Sequence, residues 1–179
     1  MRGVSHQRRT SFAVVFATLS VAIAFMAFGA DSPIWQAVVG WLATNAMILS
    51  IAYFMNWPGV YGKSGVGSLR WPVVLLMAPT LLFIRTVWQL QNIFFRTPLY
   101  NEITPDLFVG RLCGYDSLPK GVTVVVDLTA EFHTPLSLQA RVQTICLPTL
   151  DGCPPDWKRC QQAFELIGTN HHLMHVGRR

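Results

Sequence analysis

Acidic residues are nearly missing from the first half of this chain. Residues 1–99 hold one carboxylate, Asp31, against seven basic side chains: Arg2, Arg8, Arg9, Lys63, Arg70, Arg85 and Arg96. Charge of either sign is sparse, at 13% of 179 residues, while 51% are hydrophobic. Residues 100–179 carry seven basic and eight acidic side chains, so the net +5 belongs to the apolar half. A basic excess among apolar runs suits anionic lipid headgroups. No clustered basic face with interleaved stacking aromatics is present, which argues against nucleic acid as a partner. A C-x-x-C pair is also lacking, so a zinc reading is weak. The four cysteines (Cys113, Cys146, Cys153 and Cys160) lie in the second half. Cys160 falls in a helical pattern and Cys146 in a strand pattern, as buried free thiols do, and reduced thiols on the cytoplasmic side are expected.

Long uncharged runs are what the first half does have. After a basic flank, residues 1–10, residues 11–30 (SFAVVFATLSVAIAFMAFGA) contain no charge, enough to cross a hydrocarbon core of roughly 30 Å. The turn Asp31-Ser32-Pro33 leads into a second uncharged run, residues 34–55, with Trp35, Trp41, Tyr53 and Trp57 suited to its interfaces. So short a turn implies an antiparallel hairpin over residues 11–56, and unsatisfied backbone groups in lipid require both runs to be helices. The first run is longer than the apolar region of a cleaved leader and a second follows at once, so a permanent anchor is expected. Arg2, Arg8 and Arg9 before the hairpin, with Lys63 and Arg70 after it, place both flanks in the cytoplasm.

Residues 57–70 are rich in glycine and read as a flexible loop. Residues 71–84 (WPVVLLMAPTLLFI) are apolar but short for a span. They continue into a segment where Arg85, Gln89, Asn92 and Arg96 recur at helical spacing against Val87, Trp88, Leu90, Ile93, Phe94 and Phe95. Residues 71–96 are therefore an interfacial amphipathic helix kinked at Pro79, or a third membrane helix that would put the second half outside.

From Pro98 the character becomes that of a soluble domain, residues 98–179. Residues 122–128 (VTVVVDL) read as a buried strand, and residues 142–147 (VQTICL) as a second one stopped by Pro148. A helix follows near Asp156, with Trp157, Cys160, Ala163, Phe164 and Ile167 as its core face. Strands alternating with helices imply an α/β domain with a mainly parallel sheet.

Three phrases in this half, taken in order, carry a resemblance. Residues 103–110 (ITPDLFVG) are similar to the I-x-P-x-L-(Y/F)-(L/V)-G opening of dual-specificity phosphatase domains. The run Val124 to Asp127 with Leu128-Thr129-Ala130-Glu131 resembles the family's next strand and its N-L-T-x-E-like turn. Leu147-Pro148-Thr149-Leu150-Asp151 with Pro154-Pro155 resembles the loop that carries its general acid. The hairpin in front resembles that of bacterial membrane-anchored members. The likeness covers residues 100–168. It implies an inner-membrane protein with a cytoplasmic catalytic domain that hydrolyses phosphomonoesters of phosphoproteins or of phospholipid or inositol headgroups, without metal or cofactor. Asp151 would be the general acid that protonates the leaving oxygen.

The resemblance then breaks. The family continues with a buried strand and H-C-x-x-G-x-x-R-(S/T), whose thiolate forms a cysteinyl-phosphate and whose arginine clamps the phosphate. Here the sequence reads TNHHLMHVGRR, and no cysteine follows His175. The partial domain is expected to be truncated, frameshifted or degenerate at that loop, with negligible turnover. Cys153 and Arg159 match C-x5-R by count, but Pro154 and Pro155 have no N–H to offer an anion. His171, His172 and His175 are too loosely spaced for a metal site. Asp127 and Glu131 are expected to cap and solvate a strand end rather than act as an acid/base pair. The alternative from another class is a non-catalytic membrane scaffold that binds a partner. A channel or transporter is weaker, since the spans offer little polarity beyond Thr18, Thr44 and Asn45.

Overall fold

The computed structural model describes residues 2–29, 31–94, 98–167 and 173–176. Helix α1 (Arg2–Phe28) and helix α2 (Pro33–Met55) are each long and apolar enough to cross a membrane, with mean hydropathy 2.3 over Gln7–Phe28 and 1.6 over Pro33–Met55. Proline at its first position starts α2 without losing a helical hydrogen bond. Asn56, left-handed at φ 52°, ends it. The two helices run antiparallel and close together because small residues (Ala13, Ala43, Ala46, Ala52) face the seam. Ser20 donates to the Ala43 carbonyl at 2.8 Å and Ser50 to the Ala13 carbonyl at 2.7 Å, so the hairpin is pinned at two levels.

The stretch read as a flexible loop is a folded arm. A short 3-10 turn (Pro58–Tyr61) buries Val60 and Tyr61, and a bridge joins Lys63 to Leu69. Next come α3 (Trp71–Leu76) and α4 (Ala78–Phe94), separated at Met77. Pro79, which cannot donate to the preceding turn, accounts for the break, two residues downstream of it. Trp41 Nε1 and Asn45 Nδ2, both from α2, donate to the Leu76 carbonyl at 2.7 and 3.0 Å, and Thr80 donates to Asn45 Oδ1. Both ends of this broken helix reach the α/β region or its arm. Val73 lies beside Gly62, Trp88 packs on Phe132, and Asn92 accepts from Arg111.

The α/β region is a five-stranded sheet in the order β1-β2-β5-β3-β4, comprising β1 (Tyr100–Thr104), β2 (Leu107–Gly110), β3 (Val124–Thr129), β4 (Gln143–Thr149) and β5 (Leu173–Val176). Only the β1–β2 hairpin is antiparallel. The β2–β5, β5–β3 and β3–β4 pairs are parallel, as the alternation of elements implied. Strand β4 continues through Pro148 rather than stopping before it. It lies at the sheet edge, and the register shifts between the Asp127 and Thr129 pairs, so a residue without an N–H costs no ladder bond there. Val124 and Val126 bury on one face of β3; Val125 and Asp127 bury on the other. A one-turn helix α5 (Leu136–Gln139) covers part of the second face through Leu138, and α6 (Trp157–Ile167) follows the loop after β4.

Hairpin, arm and sheet share one core. Ala13, Leu49, Ala52 and Tyr53 of the hairpin pack with Tyr61, Leu69, Met77 and Leu81, and with Ala130 and Leu150 from the ends of the strands.

Candidate functional site

The C-terminal ends of parallel strands are where open α/β sheets bind ligands. Here β3 ends in Thr129 and β4 in Thr149, paired with each other, and Val176 of β5 pairs with Asp127. Asp151 lies two residues past Thr149. It sits in a tight turn closed by the Cys153 N–H on the Leu150 carbonyl at 3.0 Å, with Gly152 left-handed at φ 73°. A glycine in that third position is what a type II turn requires. Leu150, 2% exposed, anchors the turn in the shared core, while Asp151 is exposed. A small cleft of about 130 Å³ opens beside it, walled by Leu128, Thr129, Glu131 and Thr149. Two of the three segments that the sequence marked, around residues 124–131 and 147–155, thus meet at this cleft, while residues 103–110 lie in β1 and β2 on the other side of β5.

Among the described residues the cleft is offered no activated thiol. Cys153 faces it, but its thiol also packs against the hairpin core. Burial raises its pKa from the ordinary 9.0; Asp151 raises it further and Arg9 opposes both. A nucleophilic thiolate needs the opposite shift. Burial likewise pushes up Cys113, Cys146 and Cys160. Among the described residues no three His, Cys, Asp or Glu side chains stand close enough to hold a metal ion. His171, His172, Arg178 and Arg179 lie outside the described residues.

Asp127 is not the solvated cap that its place at a strand end suggested. Its side chain is fully buried, as is that of Lys63, and the two form an ion pair at 2.7 Å. Lys63 Nζ also donates to the Thr129 carbonyl at 2.7 Å and to Thr129 Oγ1 at 3.0 Å, so all three ammonium protons have acceptors. Thr129 N–H and Oγ1 donate to Asp127 Oδ1 at 2.9 and 2.7 Å, and Thr134 Oγ1 donates to Oδ2 at 2.5 Å. Gly67 makes this possible. It is left-handed at φ 83°, its carbonyl accepts from the Thr134 N–H at 2.9 Å, and a side chain there would collide with the Thr134 hydroxyl. Sequence reasoning missed this pair because its members stand 64 residues apart. Two signals were available: Lys63 is the sole lysine of residues 1–99, and Asp127 interrupts a run of β-branched residues.

Trp157 departs from expectation as well. Placed by periodicity on the core face of α6, it is 76% exposed, while Ala163 of the same helix is buried.

The chain matches no protein-family model, no curated protein and no solved structure.

Proposed function

We propose that this chain is a bilayer-anchored protein of dual-specificity phosphatase type. Its α/β region would stand at the cytoplasmic face of the inner membrane and present Asp151 to a phosphomonoester of a protein or a lipid. One observation above all supports the reading. Strand β5 lies between β2 and β3 and runs parallel to both, its Val176 in register with Asp127 and, through it, with Cys146, three residues before β4 ends and leads to the Asp151 turn. The family's chemistry needs that relation: a phosphate loop leaving a central strand, with the acid on a loop of the same sheet end. One strand, β3, lies between β5 and the strand from which the Asp151 turn emerges, and the two inter-strand spacings give a span of roughly 10 Å that a bound phosphate and its leaving group would fill. The basic residues Arg8, Arg9, Lys63 and Arg70 flank the hairpin end where the α/β region sits, which favours a cytoplasmic location for it. The contacts at both ends of the α3–α4 segment favour its lying at the interface over a third crossing.

These 179 residues supply the acid and not the thiolate, so they are expected not to turn over an aryl phosphate. Measurable hydrolysis that disappears in Asp151→Ala would contradict this. The family reading itself is tested by sequencing the coding DNA beyond the Gly168 codon in all three frames. A frame that continues as His-Cys-x-x-Gly-x-x-Arg supports an enzyme. If no frame carries it, the non-catalytic scaffold takes its place.

A further inference from the structure

A second, larger cleft of about 450 Å³ lies where the hairpin meets the α/β region. Trp57 and Gly59, just past the end of α2, form one wall; Pro148, Pro155, Asp156 and Arg159 form the other. We propose that this cleft receives the headgroup of an anionic phospholipid, with the Arg159 guanidinium on its phosphate. The inference rests on the bilayer-anchored part of the reading above and not on phosphatase chemistry.

Three observations carry it. The first is position. Asn56 caps α2, so Trp57 stands at the level where a span formed by α2 leaves the hydrocarbon. Trp57 is 51% exposed, and Trp157, beside Asp156 at the start of α6, is more exposed still. Two exposed indoles from separate elements are suited to the headgroup layer, where one end of the ring is apolar and the other wet. The second is charge. Among the described residues no carboxylate lies within ion-pair distance of Arg159. Asp156, its neighbour in the cleft, is engaged at the start of α6, its Oδ1 accepting the Lys158 N–H at 3.0 Å. A planar guanidinium grips phosphate oxygens in pairs. The third is size and rigidity. The volume falls within the range of small-ligand clefts, large enough for a glycerophosphate headgroup, and its proline walls need little ordering when it binds.

The test uses the full chain in nanodiscs of phosphatidylcholine containing a minority of phosphatidylglycerol. Native mass spectrometry of the released protein then counts the lipid that it keeps. Phosphatidylglycerol is expected to be retained over phosphatidylcholine. Arg159→Gln should lower that preference about tenfold, the value of one charge-assisted pair. Arg141→Gln, which removes a surface cation paired with Asp116, should leave it unchanged. Matching thermal melting curves would exclude misfolding of either variant. Equal retention by Arg159→Gln overturns the proposal. So does displacement of the lipid by excess inorganic phosphate, which would make the site one for the free ion. Release of the protein from membranes by alkaline wash without detergent would instead overturn the bilayer reading, whatever the enzyme assay shows.

Discussion

At the scale of single residues, the Lys63–Asp127 pair carries the most consequence. Both charges are out of water, and every proton of the ammonium and both oxygens of the carboxylate are used. Removing one partner leaves an uncompensated buried charge, at a cost of roughly 3–5 kcal/mol; removing both leaves none. Lys63→Met and Asp127→Asn are therefore each expected to lower the denaturation midpoint of the detergent-solubilised protein sharply, and Lys63→Met with Asp127→Leu to recover much of the loss. A loss in the double variant equal to the sum of the two single losses would show that the pair does not act as a unit. Gly67→Ala should destabilise the same joint through both its left-handed backbone and its collision with Thr134. His133 adds a pH dependence. Its Nδ1 accepts the Leu69 N–H at 3.3 Å, and its pKa is lowered from 6.5 by burial and by the charges of Arg85 and Lys63. The folded protein therefore binds this proton less readily than the unfolded chain, and stability falls as pH drops below about 6.5. The ring is largely exposed, so the effect is small. A melting series across that range should flatten in His133→Gln.

At the scale of elements, the sequence was most informative where one period dominates. The two long apolar helices, the β-branched run of β3 and the helix after Asp156 all stand within a few residues of their expected places. Residues whose state depends on a neighbour brought from elsewhere were not legible. Pro148 reads as a strand breaker until β4 is known to be an edge strand with a register shift. The glycines of residues 57–70 read as slack until Gly67 is seen against Thr134. Trp157 reaches Ala163 through two steps of three residues, which at 3.6 residues per turn leave it roughly 120° from that residue's face, and it points outward. Asp151 was legible through its phrase, whereas the cleft beside it draws on β3, β4 and the loop together. The broken helix α3–α4 shows the same dependence on a neighbour. Its Leu76 carbonyl is satisfied by Trp41 and Asn45 of α2, and Asn45 in turn accepts from Thr80. Asn45→Leu deprives the carbonyl of one donor and Thr80 of its acceptor, so a loss of about 1–3 kcal/mol is expected. Asn45→Asp, which keeps the acceptor for Thr80 but buries a carboxylate against the Trp41 and Leu76 carbonyls, should lower the midpoint at least as far as Asn45→Leu. A wild-type midpoint in Asn45→Leu would show that the contact does not hold the helix.

At the scale of the whole molecule, the hairpin does more than tether a domain. Leu150, which anchors the Asp151 turn, and Ala130, which follows β3, are buried in one cluster with Ala13, Leu49 and Tyr53 of the two long helices. Gly152 in that turn lies against Phe12, where a larger residue would crowd the ring. A fragment of residues 98–179 loses these contacts and Lys63 together. About eighty residues bury too small a fraction of their surface to absorb such a loss, and Asp127 would be left as a buried charge without its partner. Such a fragment is therefore expected to unfold without cooperativity and to be digested quickly, while the full chain in detergent protects the same residues from protease. The comparison separates two views of the architecture. If the fragment resists digestion and melts cooperatively, the α/β region is an independent domain and the hairpin only locates it. If it does not, the position of Asp151 depends on the packing of the two spans. Substitutions at the hairpin seam, such as Ser50→Ala, which frees the Ala13 carbonyl, should then change the proteolytic sensitivity of the Asp151 turn from the other side of the shared core.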